Sequence, residues 1–193
     1  MKFFLLLFFI ISFPSLYLSI ERLPDAYKFS GINEKLDKTI INSVNLYNSE
    51  GNKVDISDYF GNKPLLINFA YYTCPKLCHL VVSGMVDALS RLNPRLLNQV
   101  QILTISFDHR DTVQTTALFK DKYYSSIKEP KHWDFLYGDQ SEVEKLAESI
   151  GYEFYFDTKN NMYSHPSALV FVSPVGIVSR YLYGIMYNPF DIK

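Results

Sequence analysis

The chain has 193 residues, is 48% hydrophobic, and carries 19 basic against 20 acidic residues for a net charge of -1. That is enough for one domain with a full core and short for two. The near-neutral balance, with no block of like charges, argues against a nucleic-acid groove or a polybasic membrane patch.

The first segment, MKFFLLLFFIISFPSLYLSI, has one Lys and then no charge from Phe3 to Ile20. This is the pattern of a secretory signal peptide or an N-terminal membrane anchor. A buried core helix fits less well, because the run comes first and has no amphipathic period. Pro14 and the scatter of Ser12, Ser15 and Ser19 favour the tail of a cleaved signal, although no A-x-A-like site is visible. The expected location is therefore periplasmic, either released or membrane-anchored and facing the periplasm. In such an oxidising compartment a disulfide is the default fate of two thiols.

Residues 21–42 are polar and mixed and read as a linker or arm, with the folded domain expected over 43–193. Two short apolar stretches around Ser49-Glu50-Gly51-Asn52 signal a hairpin. PLLINFAYY is a continuous apolar run suited to a strand buried on both faces. From Pro75 to about Leu92, the residues Leu77, Leu80, Val81, Met85, Ala88, Leu89 and Leu92 recur at helical spacing. VQILTISF reads as a second buried strand, which completes a βαβ unit with parallel strands. A helix is expected from Asp111-Thr112 through Tyr124, and a short strand at WDFLYG. A capping box at Asp139–Glu142 should open a helix running to Ile150. ALVFVSPVGIVSRYLYG reads as a hairpin turning at Ser173–Gly176. The fold class is α/β: a thioredoxin-like fold with a central mixed sheet flanked by helices and an N-terminal hairpin extension. The closing helix of that fold is absent or unfinished at NPFDIK.

The only two cysteines lie in TCPKLCH, where the first strand meets its helix. Pro75 suits a first helical turn, which makes Cys74 the expected N-cap and places Cys78 one turn in, on the same side. A thiolate at a helix N-terminus is favoured, so Cys74 is expected to be the more reactive. Helical i,i+4 Cβ atoms stand about 5–6 Å apart, whereas a relaxed disulfide wants about 3.5–4.5 Å. Bridging would therefore distort the turn, and so small a loop makes a poor staple. The pair can equally serve as a redox couple or, reduced, as two ligands for a soft metal ion. Of the four histidines, His79 should point away around the helix, His109 and His132 lie in loops, and His165 precedes a buried strand. In a thioredoxin-like fold the His165 loop approaches the cysteine helix, so His165 is the best third donor. Met85 is read as core and Met162 as loop.

LLINFAYYTCPKLC, SFDHRDT, WDFLYGDQSEVEKLAESIG and YSHPSALVFVSPVGIVSRYLYG together resemble the SCO/SenC family along nearly all of residues 44–190. The resemblance implies copper bound by Cys74, Cys78 and His165, with Asp108 a supporting partner in the loop that also carries Arg110, Asp111 and Thr112. It implies help in metallating the binuclear copper site of cytochrome c oxidase, by delivering copper or by reducing that site's cysteines. The implied partners are the copper-bearing oxidase subunit and a thiol reductant or copper donor protein. Ser164-His165-Pro166 departs from the polar triplet of many relatives and stiffens the ligand loop. The alternative is an exported thiol:disulfide oxidoreductase in which Cys74 attacks and Cys78 resolves. A peroxiredoxin-type peroxidase fits poorly, because the order of Cys and Pro is reversed.

Overall fold

The computed structural model describes residues 29–75, 77–127 and 132–192. In chain order the strands are β1 (Gly31–Ile32), β2 (Asn45–Asn48), β3 (Lys53–Asp55), β4 (Leu65–Ala70), β5 (Gln101–Ser106), β6 (Trp133–Tyr137), β7 (Tyr152–Glu153), β8 (Tyr155–Asp157), β9 (Met162–Ser164), β10 (Ala168–Val172) and β11 (Val178–Tyr183). The helices are α1 (Leu77–Ser90), α2 (Pro94–Leu97), α3 (Val113–Tyr124) and α4 (Gln140–Ile150). Seven strands form one mixed sheet in the order β11-β10-β4-β5-β6-β2-β3. Its centre is the parallel trio β4, β5 and β6; β10 joins β4 antiparallel, and the β2–β3 hairpin is added antiparallel at β6.

β4 is buried at all six positions because both faces of the sheet are covered. Leu65, Ile67 and Phe69 enter a core shared with Val143, Leu146, Ala147 and Ile150 of α4. Leu66 enters the opposite core with Val81, Val82, Met85, Ala88 and Leu89 of α1. α3 starts where expected, with Thr112 and Thr115 capping each other reciprocally. The expected capping box at α4 does not form. Asp139 is the N-cap but makes no side-chain cap bond, and the Glu142 carboxylate, rather than reaching back to the N-cap, is engaged by the Asn45 N–H of β2 and by Lys145. The turn between β10 and β11 closes as expected, with Gly176 at φ 81° and the Ser173 N–H on the Ile177 carbonyl.

One segment, the arm, differs from the sequence reading. The apolar run 1–20 lies outside the described residues, as does residue 21–28 of the expected arm. The rest of that arm is packed onto the domain: β1 pairs with β7, the Ile40 N–H bonds the Gly176 carbonyl, and Ile40 is buried. The boundary expected at residue 43 thus falls within a hydrogen-bonded segment, whose backbone pairing its polar side chains conceal. After β11, where a thioredoxin-like pattern would place a helix, the chain crosses α1 and makes a 3-10 turn at Pro189–Asp191. A Cβ on Gly84 would stand 1.9 Å from the Ile185 carbonyl oxygen, so only glycine permits this crossing. Tyr187 and Ile192 are buried in the α1-side core. Among the described residues no helix is long and apolar enough to cross a membrane.

Candidate metal and redox centre

The site is built at the ends of β4 and β5. The Phe107 N–H bonds the Ala70 carbonyl, so the two outgoing loops begin side by side. One carries Tyr71 to Cys78 and the other Phe107 to Thr112. Asp111 ties them together: its Oδ2 accepts the Tyr72 N–H at 2.8 Å and the Ser106 hydroxyl at 2.5 Å. Tyr72 is fixed again through its hydroxyl, which donates to the Leu136 carbonyl at 2.6 Å. Burial pushes the Asp111 carboxyl above the ordinary carboxylate range, while its bonds to Ser106 and Tyr72 pull the other way.

From this anchor the chain turns tightly, with the Cys74 N–H on the Tyr71 carbonyl at 3.1 Å. Cys74 lies in that turn, ahead of the described start of α1 at Leu77. Cys74 Sγ nonetheless accepts the Cys78 N–H at 3.5 Å, one of the donors that a first helical turn leaves open. Cys74 is 4% exposed and Cys78 fully buried, and both are reduced thiols. Burial first, and then the hydrogen bond and proximity of Cys74, raise Cys78 far above the usual thiol range, against a small opposing pull from the Tyr71 N–H at 3.4 Å. Burial thus favours the protonated form of Cys78.

His165 meets Cys78 from the loop between β9 and β10, with Nε2 3.4 Å from Cys78 Sγ. Its other nitrogen, Nδ1, lies 2.9 Å from the Pro166 carbonyl oxygen and 3.1 Å from the Tyr152 hydroxyl. Phe107 (5.1 Å between ring centres) and Tyr71 (6.2 Å, edge-on) pack against the imidazole, which is 9% exposed. Thiol and imidazole therefore meet in a cage of aromatic rings largely closed to water.

The family model for SCO1/SenC matches residues 33–189. The chain belongs to the SCO1/SenC family. Three solved structures share its fold: a SCO1/SenC family lipoprotein from Bacillus anthracis str. Ames, Bradyrhizobium japonicum ScoI with copper bound, and BsSco. The first is 17% identical, covers 83% of this chain and 94% of its own, and has a TM-score of 0.69. For ScoI the figures are 23% identity, 79% and 94% coverage, and a TM-score of 0.62. BsSco, described as having a disulfide switch and as a member of the Sco family of cytochrome c oxidase assembly proteins, is 22% identical, with 85% and 92% coverage and a TM-score of 0.61. No curated protein matches the chain.

Within this SCO1/SenC domain the other sequence candidates go elsewhere. Asp108 is buried, but its carboxylate is held by the Arg110 guanidinium through bonds of 2.7 to 3.0 Å. The group that reaches His165 is instead Tyr152, a residue that nothing in its sequence neighbourhood marks. His79 stacks on Phe119 and bonds the Tyr123 hydroxyl on the α1–α3 surface. Burial, then Lys122, lower its pKa. His109 contacts the Tyr163 hydroxyl at 3.2 Å. The His132 carbonyl accepts the Ile102 N–H where β5 begins, at the end of the sheet away from the cysteines. Met85 is core and Met162 is largely exposed. Among the described residues no three His, Cys, Asp or Glu side chains form a ready-made metal cage.

Proposed function

We propose that this protein is an exported copper-binding assembly factor that helps metallate the binuclear copper site of cytochrome c oxidase, with Cys74, Cys78 and His165 as the ligands. The observation that carries the reading is the approach of His165 Nε2 to Cys78 Sγ while Nδ1 is occupied by Pro166 and Tyr152. Two thiolates and one imidazole suit Cu(I), a soft ion that accepts three-coordination. Copper here is cargo: it displaces the two thiol protons on binding, so its uptake weakens as pH falls. Ligation by all three residues requires the Cys74 turn to bring its sulfur onto the Cys78–His165 pair. Copper-bound ScoI and the oxidase-assembly description of BsSco support the reading by kinship. The partners are then the copper-bearing oxidase subunit and a copper donor or thiol reductant, met in the periplasm.

The Cys74 sulfur, held beside Cys78 by the Cys78 N–H at 3.5 Å, also favours a second reading, thiol:disulfide exchange with Cys74 attacking and Cys78 resolving. Cu(I) and Cu(II) titrations of the full chain in detergent, reduced, separate the two. One Cu(I) per chain is expected, with His165→Ala lowering affinity by about 100-fold or more, since even an outer partner of a ligand is worth about 10–100-fold. Unchanged copper affinity with slowed reduction of a test disulfide would install the oxidoreductase in its place.

A further inference from the structure

Tyr152 lies immediately after α4, whose C-cap Gly151 adopts a left-handed conformation (φ 78°) that turns the chain back toward the sheet. The ring is 2% exposed and packs on Phe69 at 4.7 Å between centres. This carries the hydroxyl to the His165 loop, where it donates to the Pro166 carbonyl oxygen at 2.7 Å and stands 3.1 Å from His165 Nδ1. The three polar atoms form a closed triangle, the third side being Nδ1 to the Pro166 oxygen at 2.9 Å.

The proton count in this triangle has one favourable solution. A carbonyl oxygen only accepts, and the tyrosine hydroxyl donates to it at 2.7 Å. A bare Nδ1 would then set its lone pair against oxygen lone pairs from both neighbours. A protonated Nδ1 instead donates to the carbonyl and the phenol oxygen. Nε2 is left with its lone pair, directed at Cys78 Sγ. We infer that Tyr152 is the positioning residue that fixes the Nδ1–H tautomer and ring orientation of His165, so that Nε2 is presented to metal. The role rests on the ligand assignment above only for its copper arm. The carbonyl is a weak anchor alone, because it belongs to the residue next to His165 and moves with the same loop. Tyr152 ties that loop to the body of the domain.

The test uses Tyr152→Phe, which keeps the packed ring, in the full chain. Nitrogen NMR of the metal-free protein reads the tautomer directly: the wild type is expected to show one form with protonated Nδ1, and the variant a mixture. A single unchanged tautomer in the variant overturns the proposal whether or not copper binds. With Cu(I) in competition against a chelator, the variant is expected to bind about 10–100-fold more weakly. The double variant Tyr152→Phe/His165→Ala should be no weaker than His165→Ala alone, because Tyr152 acts only through the histidine. An additive loss would make Tyr152 a general stability element and refute the positioning role. A wild type that binds no copper sinks the metal reading and leaves the tautomer result standing.

Discussion

Replacing Arg110 by Met removes the guanidinium while keeping a flexible apolar stem. Asp108 is fully buried as a side chain and receives three guanidinium contacts at 2.7 to 3.0 Å. Stripping a buried carboxylate of its cation costs about 3–5 kcal/mol. The low end applies, because the Arg110 N–H still bonds Asp108 at 2.9 Å and the guanidinium is partly solvated. Arg110 also lies over the rings of Phe156 and Tyr163, at 5.0 and 5.7 Å, and donates to Asn161 at 2.9 Å. Such partly exposed cation–π contacts add about 0.5–1 kcal/mol. The expected loss is therefore about 3–4 kcal/mol, or a fall in Tm of roughly 10 °C for a domain of this size. Denaturant and thermal unfolding would measure it. Adding Asp108→Asn to Arg110→Met should restore part of the loss by removing the stranded charge. A single variant melting within about 2 °C of wild type would show that the pair is worth no more than a surface ion pair, and would refute the reasoning. Since Phe156 and Tyr163 belong to the β8–β9 hairpin that leads into His165, copper affinity should fall together with stability.

Asp111→Ala should cost about 1–3 kcal/mol by leaving the buried Tyr72 N–H without its acceptor, and should speed hydrogen exchange in the cysteine turn; unchanged exchange would deny Asp111 that anchoring role. Because burial raises the Asp111 pKa, its protonated form is favoured in the fold, and the stability it contributes is lost as pH rises from the ordinary carboxylate value through the raised one. Asp111→Asn should therefore gain on wild type in paired melts as pH rises above the ordinary carboxylate range, and a flat difference would contradict the shift. Gly84→Ala should destabilise by about 1–2 kcal/mol, since overpacking against Ile185 outweighs the roughly 1 kcal/mol gain in helix propensity. Net stabilisation in that variant would mean that the tail does not bear on α1.

What was legible in the sequence follows from what local pattern encodes. The unbroken apolar run at β4 and the helical spacing of α1 report burial directly, because each period maps onto one covered surface. The β8–β9 hairpin went unread, although the turn cluster Asp157–Asn161 between aromatic stretches signals it; three-residue strands are too short to show alternation. Asp108 and Asp111 have similar neighbours in sequence. Their tasks, gripping Arg110 and gripping Tyr72, are decided by which side of the loop faces the sheet ends. Tyr152 is legible least of all. Its hydroxyl matters because a left-handed cap aims it across the domain at a loop 13 residues away, and nothing local encodes that aim.

Under the proposed function the two sulfurs would have different duties. Cys78 is fully buried, within α1 and against His165, while Cys74 sits in a turn whose neighbours Thr73 and Pro75 are exposed. Tyr72 ahead of that turn is fastened by Asp111 and the His165 loop by Tyr152, while the Cys74 sulfur accepts the Cys78 N–H. A partner's thiol or metal would therefore meet Cys74 first, and Cys78 with His165 would complete the exchange from inside. On this reasoning Cys74→Ser should slow transfer from the partner in the first step, whereas Cys78→Ser should permit encounter and fail at retention. Stopped-flow transfer experiments resolve these two phases, and identical kinetics for both variants would rule out the ordered path.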